Sequence, residues 1–291
     1  MNENKINLPI LASGVGVGLI GRFLGRLIAV LGGVLIARVL GPSVFGLYAI
    51  GIVVLRLSEA IIPMGFDLGV IRFGAMYLND NQRVKGILFH SLLIPFCFGL
   101  IAALLVWFFA PMMSTQLFGQ PEMQLVLRYV AVIVPMLALL VIASAATRVS
   151  QNVVYSFITQ DVGQPLLSLL GVLVVMWFGL GLKGVLAAEV ISVLVTAVLA
   201  LVFLARIFPF LAGTGVSIVP PPGDFYRFSI TSSLSVIFIT AMFWVDRIIL
   251  SMYILPNEVG VYQAAAQASV IFAVLLGGMN RIITPVFANL Y

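Results

Sequence analysis

From Gly86 to Ala110 the chain runs without a single Asp, Glu, Lys or Arg, and stretches of this kind recur along its length. A helix crosses the roughly 30 Å hydrocarbon core of a bilayer with about 17 to 25 apolar residues. Eight segments meet that requirement: Ile10 to Leu40, Val44 to Met64, Gly86 to Ala110 (closed by Pro111), Leu125 to Thr147, Pro165 to Gly181, Gly184 to Phe208, Phe225 to Leu255, and Val259 to Asn289. The runs are continuous rather than alternating, so the strands of a membrane β-barrel are excluded. Charged residues make up 9% of the chain, against about 25% in a soluble domain. So little charge cannot cover a water-facing surface. The expected fold class is an all-α integral membrane protein with about eight transmembrane helices.

The polar residues Met1 to Leu8 precede an apolar stretch far longer than the roughly 7–15 residues of a signal-peptide core, so that stretch is expected to be the first span. The net charge of +5 comes from 15 Lys and Arg spread thinly, with no basic run. Nucleic acid is therefore not an expected partner, and the lipid bilayer is. Cys97 is the one cysteine, which rules out an intrachain disulfide; its apolar surroundings predict a buried packing residue. His90 has no second His or Cys to share a metal, and is expected to be a satisfied interfacial residue.

Orientation follows the Lys and Arg near helix ends. One side holds Lys5, Arg72, Arg83, Lys85, Arg148, Arg206 and Arg227; the other holds Arg38, Arg128 and Lys183. This imbalance predicts a cytoplasmic N-terminus. The longest linker, Pro209 to Asp224, contains three consecutive prolines, Pro220, Pro221 and Pro222. It is the natural boundary between an N-terminal lobe, residues 1–214, with six helices, and the start of a C-terminal lobe, residues 215–291, with two.

An internal repeat supports that division. Sliding the chain by 214 residues places Pro42 on Pro256, Gly46 on Gly260, Tyr48 on Tyr262, Phe73 on Phe287 and Tyr77 on Tyr291, with no gap. Shared apolarity inflates such matches, but Pro, Gly and Tyr recur at one helix boundary. Six helices lie between the copies, so both face the same way. That pattern predicts parallel lobes related by an axis along the membrane normal, and a chain that ends about four helices short of a complete second lobe.

Charged side chains at membrane depth cost about 2.5–3.5 kcal/mol each on insertion scales, and persist where they face a cavity or a partner. Arg22 and Arg26 are four apart in the first span, and Arg56 and Glu59 three apart in the second. Glu189 lies inside the sixth, Asp246 and Arg247 deep in the seventh, and Arg281 in the eighth. On the functional reading, Arg22, Arg26, Arg56 and Arg247 line a hydrated cationic cavity and hold an anionic headgroup. The planar guanidinium pairs phosphate oxygens bidentately and stays charged. Glu59, Glu189 and Asp246 are the acidic candidates for coupling to Na+ or H+. The structural alternative is that Arg22 snorkels while Arg56 and Glu59 neutralise each other, as does Asp246 with an arginine of a neighbouring helix. Gly14, Gly18, Gly21 and Gly25 form a small-residue stripe that lets another helix approach closely. They do not suit a phosphate loop, which needs a preceding strand. No catalytic residues, cofactor or metal are expected: no Ser-His-Asp or zinc pattern appears, and the outer loops offer little beyond Glu122 and Glu258.

The stretch LIARVLGPSVFGLY from Leu35 to Tyr48, followed by GFDLGVIRF from Gly65 to Phe73, resembles the opening of the polysaccharide-biosynthesis flippases of the multidrug/oligosaccharidyl-lipid/polysaccharide exporter superfamily. VDRIIL from Val245 to Leu250, NEVGVY from Asn257 to Tyr262 and PVFANLY from Pro285 to Tyr291 resemble the start of that family's second lobe. The resemblance implies two six-helix lobes around a central cavity in the inner membrane. It implies alternating-access transfer of an undecaprenyl-pyrophosphate-linked glycan to the outer leaflet, alongside polymerase and ligase machinery for surface polysaccharide. Arg22 and Arg56 stand where such proteins carry cavity arginines. The chain departs from the pattern in the missing end of its second lobe. A multidrug/cation antiporter of the same superfamily and a lipid II flippase are the alternatives. The antiporter typically needs an acid where the first span has two arginines. A membrane glycosyltransferase would need paired carboxylates on long loops, which are absent.

Overall fold

The computed structural model describes residues 8–150, 154–211 and 217–269, without the side chains of residues 8–20 and of Arg22. Among the described residues the chain is helical, as its composition requires. The first helix, α1 (Leu8–Ile61), has 54 residues, about 80 Å at 1.5 Å per residue and more than twice a bilayer core. It is two spans in succession. Gly41, at φ 70° and ψ 168°, breaks the axis in a conformation that only glycine adopts without strain. Pro42 follows, where a new helix has no use for the missing N–H. The expected boundary between Leu40 and Val44 therefore stands.

Met64 and Gly65, both at positive φ, turn the chain into α2 (Phe66–Met76), a helix that the sequence reading did not assign. Next comes α3 (Asn81–Met112), which starts five residues before the expected Gly86. Asp80 caps it, its carboxylate accepting from the backbone N–H of Gln82 and Arg83, both at 3.1 Å, and so extends it into polar sequence. After a π-helical turn at Met113–Leu117 comes α4 (Met123–Thr147). It is the centre of the bundle, buried over most of its length. The next span begins with the short α5 (Val154–Ser156) and a π-helical turn at Phe157–Asp161, and continues as α6 (Gly163–Phe178). It is followed by α7 (Gly181–Ile207) and, after the proline linker, α8 (Gly223–Tyr253). A further helix is described over 256–269; the rest of the expected eighth span lies outside the described residues.

Against α4 pack α3 and α7, and α1 and α6 complete the bundle. One core cluster gathers Phe45, Met123, Val126, Val185 and Val259. The other gathers Phe66, Val70, Phe73, Ile87, Leu204 and Phe225. In the second, α2 docks α8 through edge-on rings: Phe66 and Phe73 lie 5.4 and 5.6 Å from Phe225. Gly65 and Gly69 let Ser229 approach α2 without a Cβ between them. The outward faces are apolar to a degree no water-facing surface tolerates; Phe108, Trp177 and Met242 are among the most exposed side chains. Lipid is their solvent.

One expectation is corrected here. Cys97 is exposed on α3, among exposed Leu93, Phe98 and Ile101. In a lipid-facing helix an apolar run does not separate the interior side from the outer one. His90 is part-buried, its Nδ1 2.8 Å from the Gly86 carbonyl oxygen, and no metal-binding cluster occurs among the described residues.

Candidate functional site

The second span of α1 carries Tyr48, Arg56 and Glu59. At 3.6 residues per turn, Glu59 returns to within about 20° of the face of Tyr48, with Arg56 beside it. Arg56 donates from one terminal nitrogen to Glu59 at 2.7 Å, and its side chain remains 44% exposed. Arg56 also lies within electrostatic reach of Tyr48 and Glu189.

Glu189 projects from α7 into the bundle and is 8% exposed. It gathers three helices around one carboxylate. Its Oε1 accepts from the Ser168 hydroxyl at 2.7 Å and from the Tyr48 hydroxyl at 3.0 Å, and its Oε2 accepts from the Gln164 amide at 3.4 Å. Gln164 and Ser168, four apart on α6, share a face. Every one of these donors is neutral, and none of the ion pairs found among the described residues includes Glu189.

A second polar group sits on α8. Asp246 pairs with Arg247 at 2.9 Å and accepts from the Tyr262 hydroxyl at 2.6 Å. Arg247 also donates to Gln263 at 2.7 Å and to the Phe243 carbonyl, and its guanidinium stacks 4.7 Å from the Trp244 ring centre. The guanidinium is thus engaged on several sides by its own neighbourhood. Arg26 is exposed on the first span; the side chain of Arg22, and Arg281, lie outside the described residues. The structure therefore joins Arg56, Glu59, Tyr48 and Glu189 into one neighbourhood, and Asp246 and Arg247 into another.

The close helix approach expected at the glycine stripe is present at two of its positions. Gly21 lies on the Phe157 ring, and Gly25 on the Asp161 carbonyl oxygen, with no room for a Cβ at either. A second glycine contact was not foreseen. Gly46 lies on the Pro256 carbonyl oxygen, and Gly260 on that of Pro42.

Sequence reasoning found Glu189 but not its partners. Tyr48 entered only as a repeat position, and Gln164 and Ser168 not at all. A signal was available, since a polar pair at i, i+4 in an otherwise apolar span marks a face turned toward another polar group.

A bundle of apolar helices with paired and unpaired charges at membrane depth defines a multi-pass helical membrane protein. The model of the polysaccharide biosynthesis protein family matches residues 11–291, and the chain belongs to that family. A solved structure, protein A, superposes with a TM-score of 0.66 at 18% identity, over 98% of this chain and 66% of that one. It shares the fold, and this chain spans 66% of its length. No curated protein matches the sequence.

Proposed function

We propose that this protein moves an undecaprenyl-pyrophosphate-linked oligosaccharide from the cytoplasmic to the outer leaflet of the inner membrane, by alternating access, for surface polysaccharide synthesis. The observation that carries the reading is Arg56. It stands in an apolar span, it is 44% exposed, and it touches its acidic neighbour through one nitrogen. A guanidinium has five N–H donors, so a phosphate can bind without first stripping Arg56 of every partner. Arg26, exposed on the first span, and Arg22 supply further positive charge for a pyrophosphate. Arg247 serves its own network between α8 and the helix over 256–269 and is assigned a structural role. Of the three acids, Glu59 and Asp246 are neutralised by arginines. That weighs against a multidrug/cation antiporter, whose cationic cargo needs an accessible acid.

The N-terminus is placed in the cytoplasm, and polymerase and ligase machinery are the proposed working partners. Deletion of the gene, followed by extraction of lipid-linked oligosaccharides, tests the proposal. Accumulation of an undecaprenyl-pyrophosphate glycan on the cytoplasmic leaflet, with loss of surface polymer, is expected, and the glycan separates this cargo from lipid II. An unchanged lipid-linked pool with altered drug sensitivity overturns the reading in favour of the antiporter.

A further inference from the structure

From Pro42 to Ile61 the second span runs about 30 Å at 1.5 Å per residue, the full depth of the hydrocarbon core. The chain then turns at Met64 and Gly65 into α2 and re-enters the membrane with α3. The α2 helix therefore lies at the membrane surface, at the end of the bundle that also carries Arg83 and Arg227. Its inner face, with Phe66, Val70 and Phe73, is buried. Its outer face is a stripe of Leu68, Arg72 and Met76, four residues apart and all exposed. Two apolar side chains thus flank one guanidinium on a helix at headgroup level, as on helices that lie in a membrane interface.

Arg72 is held in place without spending its donors. Its guanidinium lies 4.4 Å from the centre of the Phe228 ring on α8 and 5.7 Å from that of Phe73. A cation is drawn to the face of an aromatic ring, whereas the hydrogen bonds of a guanidinium leave from its edge as a fixed fork. The rings therefore set its position and leave the fork open. Among the described residues Arg72 makes no hydrogen bond or ion pair. The acids nearby do not claim it. Asp80 is taken by Arg83 at 3.2 Å, and Asp67 lies about 140° round α2, within electrostatic reach of Arg148. Asp224, in the first turn of α8, forms no ion pair with Arg72 or with the exposed Arg227.

We propose that the outer face of α2, with the start of α8, binds an anionic phospholipid of the adjoining leaflet. Arg72 holds the phosphate through its open fork, a charge-assisted and bidentate contact, while Leu68 and Met76 lie against the acyl chains. In the orientation assigned above that leaflet is the cytoplasmic one, whose anionic lipids attract basic groups at its surface. Arg72 belongs to α2 and rests on a ring of α8, so the bound lipid sits on the joint between these two helices and fastens it. The site requires no cargo and stands whether or not the flippase reading does.

The test is native mass spectrometry of the full-length protein, purified in detergent and titrated with phosphatidylglycerol or with phosphatidylcholine, whose choline cancels the phosphate charge. A phosphatidylglycerol adduct should form in preference to a phosphatidylcholine one, and Arg72→Gln should weaken it about tenfold. Phe228→Leu, which keeps the guanidinium and removes the ring beneath it, should weaken it by less. Arg128→Gln, at the opposite end of the bundle, should leave it unchanged. Equal binding of the two lipids overturns the proposal, as does a loss in Arg128→Gln as large as that in Arg72→Gln. Met76→Glu sets a carboxylate beside the site on an exposed position, and so gives an answer even where Arg72→Gln does not fold. It should weaken the adduct, and an unchanged adduct overturns the proposal. Competition separates the sources of phosphate. Displacement of the lipid by inorganic phosphate would make this a soluble-anion site, and displacement by undecaprenyl pyrophosphate at lower concentration a cargo-loading site; either result overturns the phospholipid assignment.

Discussion

Gly46 packs directly on the backbone of Pro256, and the reciprocal contact, Gly260 on Pro42, is made by the residues 214 positions away. Two helices that each begin with proline thus meet reciprocally at their first turns. A side chain on either glycine would meet carbonyl oxygen, which cannot swing aside as a rotamer does. Small residues are what permit so close an approach between membrane helices. Gly46→Ala and Gly260→Ala are each expected to destabilise this arrangement by about 1–3 kcal/mol, as overpacking does. Because parting the helices once relieves both clashes, the double variant should lose less than the sum. Thermal unfolding of the detergent-solubilised protein checks this; strict additivity would mean that the two glycines do not share a crossing.

The general architecture was legible because membrane depth is written in long apolar runs. The break at Gly41, the span of α4 and the start of α8 after the prolines fall within a few residues of expectation. The misses have physical causes. The α2 helix is only 11 residues long, too short to register as a span, and it holds its place through Phe66 and Phe73 on Phe225, a contact between residues more than 150 positions apart. Cys97 was misplaced because apolarity identifies membrane depth and not the direction a side chain faces. The charged candidates were visible one by one. That Glu189 meets Tyr48 rather than an arginine depends on how α1 sits against α7, which no local pattern records.

The bond between Tyr48 and Glu189 predicts a measurable coupling. Interhelical hydrogen bonds in membrane proteins contribute about 0.5–2 kcal/mol. Tyr48→Phe and Glu189→Gln should therefore each reduce stability, and the double variant should show an interaction energy in that range, read by reversible unfolding in mixed micelles. Ile61→Ala, exposed on the same span and about 20 Å along the helix from Tyr48, should add independently to Glu189→Gln. Additive behaviour of Tyr48→Phe and Glu189→Gln would mean that the bond is not made in the membrane.

Arg56 and Glu59 invite a charge exchange. If the pair serves only to neutralise two charges, Arg56→Glu combined with Glu59→Arg preserves it at i, i+3 and function survives. If Arg56 receives a phosphate, the exchange puts a carboxylate where the headgroup arrives. We predict that Arg56→Ala and the exchanged pair both abolish surface polymer while membrane insertion is unchanged. Arg56→Lys should retain only part of the activity, because an ammonium cannot form the bidentate fork. Complementation of the deletion strain, with protein level monitored, gives the answer; full activity in the exchanged variant would remove Arg56 from the cargo path.

Orientation is testable because Cys97 is the only thiol. In a Cys97→Ala background, Arg83→Cys and Lys183→Cys place single thiols at opposite ends of the bundle, on α3 beside its Asp80 cap and on the first turn of α7. Both parent side chains are exposed, so little packing is disturbed. With the N-terminus in the cytoplasm, a membrane-impermeant maleimide added to intact cells should label the thiol at 183 and spare the one at 83, and permeabilised cells should label both. The converse pattern would invert the protein and place Arg83, Arg72 and Arg227 on the outer surface. Labelling of both thiols in intact cells would show that the helices between them do not cross the membrane an odd number of times.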